Sequence, residues 1–258
     1  MNIKILVAAH KEFPMPADKD LYLPVLVGAT KNYKTGINYQ RDDEGENISL
    51  KNPNYNELTA IYWAWKNLDA DAIGLVHYRR LFGHGKRKLS NVLQKSDVER
   101  LLSNNEIVLP KKRRYYIETI YSHYVHAHHS EPLKETRNII AKNYPMYIKS
   151  FDNVLSKRSA HMFNMFIMKR EPFEEYAKWL FEVLHQLESK IDISDYSTQE
   201  ARVYGYVSEL LMDTWIEANN KDYIECNWIQ IGKRNIVKKI INFLIRKLNP
   251  DKEHNTHF

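Results

Sequence analysis

The segment GLVHYRRLF, residues 74–82, carries the strongest signal for the fold in this sequence. It lies in an apolar run that predicts a buried strand over 72–77, and this strand passes directly into His77-Tyr78-Arg79-Arg80. Two adjacent arginines at a strand end are costly to bury unless they meet carboxylates or an anion, and their planar forks suit phosphate oxygens. The sequence therefore predicts an anion site here, or pairing of the arginines with Glu57 or another internal acid.

Strands and helices alternate on both sides of this segment. Strand patterns occupy residues 3–9, 72–77, 106–109 and 162–168, and helical patterns occupy residues 54–67, 132–156, 173–187 and 199–217. This alternation predicts an α/β protein with a parallel or mixed sheet flanked by helices. Ligands of such sheets bind beyond the carboxyl ends of strands, which selects the loops that begin at His10-Lys11, at His77 and at the basic run 111–114.

The composition is that of a globular protein, because 43% of the 258 residues are hydrophobic and 27% are charged. These values exclude a disordered chain, a collagen or a disulfide scaffold. Cys226 is the single cysteine of the sequence, so we expect no internal disulfide and a reducing compartment. The N-terminus is charged too early for a signal peptide, and no apolar run of about 18 residues occurs, so we expect a cytoplasmic location.

The net charge of +6 has a local source. Residues 233–247 contain six basic residues and no acidic one, which leaves 32 Lys and Arg (38 minus 6) against 32 Asp and Glu elsewhere. Apolar residues recur at helical spacing in the same stretch. We therefore predict a domain over 1–230 and a tail over 231–258 with a basic amphipathic C-terminal helix. This helix would bind an anionic membrane surface through residues 233–248, or pack on the core with a solvated basic face.

Several familiar motifs are absent from the sequence. The sequence contains no G-x-G-x-x-G, the signature of Rossmann dinucleotide binding. It also contains no P-loop lysine motif, the signature of P-loop phosphate transfer. Asp69 and Asp71 do spell D-x-D, the metal signature of many sugar-nucleotide enzymes. They precede the strand over 72–77 and so lie at its amino end, away from the expected site, which favours a helix-to-strand turn.

Three further features are candidates for sugar chemistry. Glu209 lies on a predicted helix and could act as a general base toward a substrate hydroxyl, or form a salt bridge with Arg202 or another internal arginine. Asn164, at the start of a predicted buried strand, could bind a sugar hydroxyl or form a structural turn. A dense cluster contains His123, His126, His128 and His129. Such a loop could hold a metal, bind sugar or phosphate groups, or lie at the surface.

These segments together resemble a bacterial family known as a domain of unknown function, DUF4422, whose members occur among capsular and exopolysaccharide biosynthesis glycosyltransferases. The resemblance covers roughly residues 1–220 and rests on a combination of short motifs. They are His10-Lys11, Pro24, Gly28, Lys51-Asn52, Tyr55, Glu57-Leu58-Thr59-Ala60, Tyr62-Trp63-Ala64-Trp65-Lys66-Asn67, Gly74-Leu75, His77-Tyr78-Arg79-Arg80, Asn164-Met165-Phe166-Ile167-Met168, Trp179-Leu180-Phe181, Arg202, Gly205 and Glu209.

The resemblance implies a GT-A-like, Rossmann-type mixed sheet and a glycosyltransferase that uses a UDP-sugar. Some relatives look like galactofuranosyltransferases, so UDP-galactofuranose is a candidate donor. The acceptor would be a lipid-linked oligosaccharide in capsule, O-antigen or exopolysaccharide synthesis, at the inner face of the plasma membrane. No metal site is expected, so basic side chains would neutralise the departing UDP, and Mn²⁺ or Mg²⁺ would not be required.

The resemblance also implies roles for individual residues. The catalytic candidates are Glu209 as the base and Arg79 and Arg80 on the diphosphate; the donor-binding candidates are His10, Lys11, Glu57, His77 and Tyr78; and the sugar- or acceptor-binding candidates are Asn164, His128 and Arg202. The alternative function is a non-catalytic nucleotide-sugar or glycan-binding module of a polysaccharide assembly complex. Nucleic-acid binding is a weaker third hypothesis, because the basic residues are not spread along one face, and no nucleic-acid partner is expected.

Overall fold

In the computed structural model, which describes residues 1–232, the strand predicted over 72–77 forms inside a mixed β-sheet. The strands are β1 (Ile3–Ala9), β2 (Tyr22–Leu26), β3 (Gln40–Arg41), β4 (Ala72–His77), β5 (Arg80–Phe82), β6 (Ile107–Pro110), β7 (Arg113–Arg114), β8 (Ser159–Ala160), β9 (Phe166–Lys169), β10 (Ile224–Cys226) and β11 (Trp228–Gln230). The α-helices are α1 (Ala29–Asn32), α2 (Asn52–Tyr55), α3 (Leu58–Asn67), α4 (Lys95–Asn104), α5 (Ile120–Val125), α6 (Glu131–Asn143), α7 (Ile148–Ser156), α8 (Arg170–Glu188) and α9 (Val203–Ala218).

The main sheet has the strand order β10-β6-β9-β4-β1-β2-β3, and β5 extends it by pairing with both β4 and β11. Strand β1 runs parallel to β2 and β4, whereas β9 runs antiparallel to β4 and β6. The predicted mixed α/β sheet flanked by helices is therefore confirmed. Because β1, β2 and β4 are parallel, their carboxyl ends at Ala9, Leu26 and His77 lie at one edge of the sheet.

Separate apolar layers cover the two faces of the sheet. In β1, Leu6 and Ala8 pack into the layer that contains α3, α8 and α9, while Ile5 and Val7 pack into the layer that contains α4. This division follows from the two-residue period of a strand, which sends successive side chains to opposite faces. Burial on both faces explains why β1 and β4 read as continuous apolar runs in the sequence.

The helix predicted over 54–67 is divided into α2 and α3. Asn56 lies between them with a φ of 53°, and its backbone N–H donates to the carbonyl oxygen of Asn52 at 2.8 Å. Its ψ of −130° puts Asn56 outside the left-handed helical region, in a conformation that glycine adopts far more readily than other residues. The break places Glu57 directly before the first residue of α3 instead of inside one long helix.

A buried carboxylate organises the chain between β2 and α3. Asp42 is fully buried and accepts hydrogen bonds from the backbone N–H groups of Gly28 at 2.7 Å and Ala29 at 2.9 Å. It also accepts from the hydroxyls of Ser49 and Thr59, both at 2.6 Å. Four donors compensate the cost of removing this charge from water. Asp42 thereby fixes the end of β2 against the start of α3.

The tail predicted over 231–258, including the membrane-binding stretch 233–248, lies outside the described residues apart from 231 and 232. Within residues 1–232, no helix is both long enough and apolar enough to cross a membrane.

Candidate active site

A pocket opens at the edge of the sheet where β1, β2 and β4 end. Its volume is about 470 Å³, which is within the range typical of small-molecule sites. All three loops selected from the sequence contribute to it, together with α9. The polar and charged lining residues include His10, Asn52, Asn56, Glu57, His77, Tyr78, Arg79, Arg80, Arg113, Tyr115, His123, His128, Gln199, Arg202, Tyr206, Glu209 and Gln230.

Strand β4 turns back into β5 within the sequence His77-Tyr78-Arg79-Arg80. His77 pairs with Arg80 across this turn, so Tyr78 and Arg79 occupy its tip. The Nε2 atom of His77 lies 2.7 Å from the carbonyl oxygen of Phe163, and because that oxygen can only accept, Nε2 carries the hydrogen. Burial lowers the pKa of His77. The neutral imidazole therefore holds the chain at Phe163 against the end of β4.

Phe163 and Asn164 form a turn with an uncommon backbone conformation. Their φ angles are 77° and 53°, which few residues other than glycine adopt. The Phe163 ring lies 4.3 Å from the guanidinium carbon of Arg80, a cation–π contact, and its backbone N–H donates to the Glu209 carboxylate. This single turn therefore contacts both Arg80 and the candidate base Glu209. Strained turns of this kind are concentrated at functional sites.

Asn164 does not line the pocket but forms a hydrogen bond with Glu57, which does. Its buried amide donates to Oε1 of Glu57 at 2.7 Å and to the carbonyl oxygen of Gly205 at 3.3 Å, and it accepts from the Ser208 hydroxyl at 3.0 Å. Strand β9 begins two residues later, not at residue 162 as predicted. The structure thus places Asn164 in the turn that was the alternative to a sugar contact.

Two carboxylates, Glu57 and Glu209, line the pocket. Burial, together with the negative charge of Glu57, raises the pKa of Glu209 to about 7. A carboxyl group with such a pKa can accept or release a proton near neutral pH. No ion pair between Glu209 and Arg202 is found among residues 1–232, but the charges of two other internal arginines, Arg80 and Arg113, act on Glu209 and favour its ionised form. Arg202 instead donates its Nε–H to Oδ1 of Asn56 at 2.7 Å.

The pocket is rich in positive charge. Its four arginines are Arg79, Arg80, Arg113 and Arg202. Among residues 1–232, only Glu57 and Glu209 add carboxylates to the lining, so its formal charge is +2 with neutral histidines, four minus two. Burial lowers the pKa of Arg80, although a guanidinium is not deprotonated in proteins. The lining therefore suits an anionic ligand.

On the β1 side of the pocket, His10, Phe13 and Tyr78 form an aromatic cluster. The rings of Phe13 and Tyr78 are stacked with centroids 3.6 Å apart, and His10 contacts each of them edge-on at 5.5 Å. Burial lowers the pKa of His10, and the charges of Lys11 and Arg79 act in the same direction. Lys11 itself is exposed and is not a lining residue. The structure therefore brings His10, but not Lys11, into the pocket.

The histidine cluster is divided between the pocket and the surface. His123 and His128 line the pocket, and the His128 ring stacks on Tyr206 with centroids 4.0 Å apart. His126 and His129 each contact a glutamate at 2.9 Å instead. Among the described residues, no group of three or more His, Cys, Asp or Glu side chains has an arrangement that could hold a metal ion.

The D-x-D sequence lies at the other edge of the sheet. The Asp71 carboxylate accepts the backbone N–H of Asn2 at 2.7 Å, just before β4 begins, and the carbonyl oxygen of Asp69 accepts from the Asn2 side chain at 3.0 Å. These contacts join the starts of β1 and β4. They match the helix-to-strand turn favoured by the sequence.

Several lining residues received no role from the sequence. They are Asn52, Asn56, Tyr115, Phe163, Gln199 and Tyr206. Asn52 belongs to the motif Lys51-Asn52, and Asn56 and Phe163 are adjacent to the motif residues Glu57 and Asn164, but strain at a non-glycine residue is not visible in the sequence. Arg113 was included only as part of the basic run 111–114.

This fold has a counterpart among solved structures. The apo structure of the WbbM bifunctional glycosyltransferase matches with a TM-score of 0.80 and 28% sequence identity over 90% of this chain. The chain covers 46% of the WbbM chain, so it spans about half the length of that protein. Among curated proteins, no sequence matches this chain.

The fold and the site define the class: an α/β protein similar in structure to part of a glycosyltransferase, with a cationic pocket at the carboxyl edge of its sheet. The chain belongs to the family described as Domain of unknown function (DUF4422), which matches residues 4–221. The resemblance stated from the sequence motifs is therefore confirmed.

Proposed function

We propose that the protein is a glycosyltransferase that moves a sugar, with galactofuranose as the candidate, from a UDP donor to a lipid-linked oligosaccharide. The product would enter bacterial capsule, O-antigen or exopolysaccharide synthesis. One observation carries the proposal: four arginines and two carboxylates, one with a pKa of about 7, converge in one pocket. The similarity to WbbM, a bifunctional glycosyltransferase, supports the reaction class.

In this proposal, the arginines bind the diphosphate of the donor. Arg79 and Arg80 lie at the turn after β4, where their guanidinium groups can each offer two N–H donors to phosphate oxygens. When the bond between the anomeric carbon and the diphosphate oxygen breaks, the electron pair leaves with UDP. Fixed positive charge in a partly dry pocket stabilises that developing negative charge. Arg113 and Arg202, which also line the pocket, add to it.

Glu209 is the proposed general base. The acceptor hydroxyl oxygen forms the new bond to the anomeric carbon, and its proton passes to the Glu209 carboxylate. When the pKa of a base lies near the working pH, a large fraction of the base is unprotonated and it is still basic enough to accept the proton. Glu57, held by Asn164 at 2.7 Å, and His10 would contact the donor. His128 and Arg202 would contact the acceptor or the transferred sugar.

The proposal extends to the location of the protein. The basic amphipathic stretch 233–248 would hold the chain at the anionic inner face of the plasma membrane, where a lipid-linked acceptor resides. No metal ion is included in the proposed mechanism, and addition of a chelator is expected to leave turnover unchanged.

The proposal is tested by UDP release from candidate UDP-sugars, with UDP affinity measured separately by calorimetry. Glu209→Gln keeps the size of the side chain but cannot accept the proton, so turnover should fall about 100-fold or more while UDP affinity is retained. Arg80→Gln should weaken UDP binding about tenfold or more, because a charge-assisted contact is lost.

Glu106→Gln is the control, since Glu106 is exposed and outside the pocket. Full turnover by Glu209→Gln would remove Glu209 from the mechanism. UDP-sugar binding without turnover by the wild-type protein, with all candidate acceptors, would instead indicate a binding module.

A further inference from the structure

An exposed apolar patch lies beside the pocket. Within residues 1–232, seven large hydrophobic side chains are exposed, and three of them occur within six positions of the sequence: Tyr116 at 78%, Ile117 at 70% and Tyr121 at 42% exposure. Scattered single apolar residues are normal on a protein surface, but a local cluster marks an interaction site. We call residues 114–121 the rim loop.

The rim loop is a fixed protrusion. Strand β7 pairs with β8, and the backbone N–H of Tyr115 donates to the carbonyl oxygen of Arg158 at 2.9 Å. After the tip, the N–H of Ile120 donates to the carbonyl oxygen of Lys157 at 2.8 Å. Both ends are therefore held by the same neighbouring segment. Tyr116 at the tip has a φ of 58°, an uncommon conformation for a bulky residue.

The charge around the rim loop is positive. Arg114 and Arg158 are exposed, and neither forms an ion pair with another residue in the range 1–232. Glu118 is the single acid in the loop, and it is engaged by His123 at 3.0 Å and His126 at 2.9 Å. The patch therefore combines exposed aromatic and aliphatic side chains with unneutralised arginines.

We propose that the rim loop is a membrane-contact site that inserts Tyr116, Ile117 and Tyr121 into the headgroup region of an anionic bilayer. Aromatic rings and basic side chains around an aliphatic tip fit that interface, where apolar groups are buried and anionic headgroups attract arginine. The net charge of residues 233–247 has the same sign as that of Arg114 and Arg158, which favours an anionic bilayer over that segment as the occupant of the patch.

The position of the rim loop gives this contact a consequence for the pocket. Arg113, Tyr115 and Ile120, at the two ends of the loop, line the pocket. Insertion of the tip would therefore bring the pocket opening to the bilayer surface, where a lipid-linked acceptor presents its sugar. This consequence rests on the proposed function, but the membrane contact itself requires no transfer reaction.

The test places an environment-sensitive fluorophore on the loop tip of the full chain. Ile117→Cys offers an exposed thiol, whereas Cys226 is buried and burial raises the pKa of its thiol to about 11, so labelling is selective. Vesicles of phosphatidylethanolamine with one quarter phosphatidylglycerol should shift the emission at position 117 to the blue and intensify it. A label at Met146→Cys, 82% exposed and outside the loop, is the control and should not respond.

A second variant measures the contribution of the patch. Tyr116→Asn with Ile117→Ser and Tyr121→Ser removes the apolar surface, and asparagine tolerates the positive φ at position 116. Its affinity for the same vesicles should fall about fivefold or more, because apolar burial and charge both drive interfacial binding. Leu50→Ser with Met146→Ser removes exposed apolar surface elsewhere and should keep wild-type affinity. UDP release from the donor should be unchanged in both variants.

Three results would overturn the inference. The first is cosedimentation with vesicles without a response at position 117, which would assign binding to residues outside the loop. The second is no vesicle binding at all. The third is a response at position 117 to a single-stranded oligonucleotide and not to vesicles. Each result can be read whether or not the protein transfers a sugar, so failure here is distinguishable from failure of the proposed function.

Discussion

At the scale of single residues, the chemistry of the pocket depends on how Glu209 is placed. Burial on α9 removes water from the Glu209 carboxyl group, and the charge of Glu57 disfavours a second negative charge nearby. Both effects raise its pKa, while Arg80 and Arg113 oppose them. The net result is a carboxyl group whose pKa lies near 7 instead of near 4.5. Only the ionised form can accept a proton, so activity that depends on Glu209 should rise with pH through this range.

The contribution of Glu57 to this pKa is testable. Glu57→Gln removes the negative charge but keeps an amide oxygen that can accept the hydrogen bond from Asn164. The pKa of Glu209 should fall, and the rising limb of the pH profile of kcat should move to lower pH by about one unit. The measurement is UDP release across pH with saturating donor, where the position of the limb is informative even if the maximal rate is reduced.

Glu46→Gln serves as the comparison, because Glu46 is exposed and lies outside the pocket. A limb that stays in place in Glu57→Gln would show that Glu57 does not act on the titrating group.

At the scale of elements, the pocket depends on close contact between α9 and the break between α2 and α3. A Cβ atom at Gly205 would lie 2.1 Å from Nδ2 of Asn56, so any side chain at position 205 would displace the Asn56 amide. Asn56 in turn accepts the Nε–H of Arg202 at 2.7 Å, directly before α9. One glycine thereby sets the position of a cationic wall of the pocket.

Gly205→Ala should therefore weaken UDP binding about tenfold and lower the melting temperature. The result is informative because alanine inside an unobstructed helix normally stabilises a protein, by about 0.5–1 kcal/mol relative to glycine. Calorimetry with UDP and thermal unfolding are the measurements. In the double variant Gly205→Ala with Asn56→Gly, the clash is relieved, so stability should recover while UDP affinity remains low, as in Asn56→Gly alone. A stabilised Gly205→Ala with full affinity would contradict this account.

At the scale of the whole molecule, the candidate base should reduce stability at high pH. The folded protein retains the Glu209 proton up to about pH 7, whereas the unfolded chain releases it near pH 4.5. The native state therefore binds more protons between these values, and the free energy of unfolding should decrease as pH rises through them. Below pH 4.5, Glu209 is protonated in both states and contributes no such loss.

Glu209→Gln should therefore be more stable than the wild type at pH 8, by about 1–3 kcal/mol, and nearly equal to it at pH 4. Urea unfolding at both pH values measures the difference. Glu106→Gln, which changes an exposed glutamate, should show no pH-dependent gain. If Glu209→Gln and the wild type were equally stable at pH 8, ionised Glu209 would not destabilise the folded state, and its pKa would not be raised by folding.

The sequence predicts many of the residues that line the candidate site, but few of the contacts that hold those residues in place. His10, His77 and the two following arginines were identified because they directly follow apolar runs, and strand ends in a parallel sheet meet at one edge. Lys11 follows the same strand as its neighbour His10, but its side chain is exposed and does not line the pocket. The sequence makes Asn164 a candidate sugar contact, yet its amide donates a hydrogen bond to Glu57, which lies 107 residues away in sequence. Nothing local to either residue indicates that pairing.

The sequence by itself determined the α/β class, the strands at 3–9 and 72–77, the family and the arginines at the end of β4. These features are encoded by periodicity and by neighbouring residues, so they can be found without knowing the fold. Only the tertiary structure decided that Glu57 and Glu209 share a pocket, that Asn56 interrupts a helix, and that Phe163 supports the Arg80 guanidinium. Those outcomes depend on through-space charge, burial and close packing between distant segments, which no local pattern records.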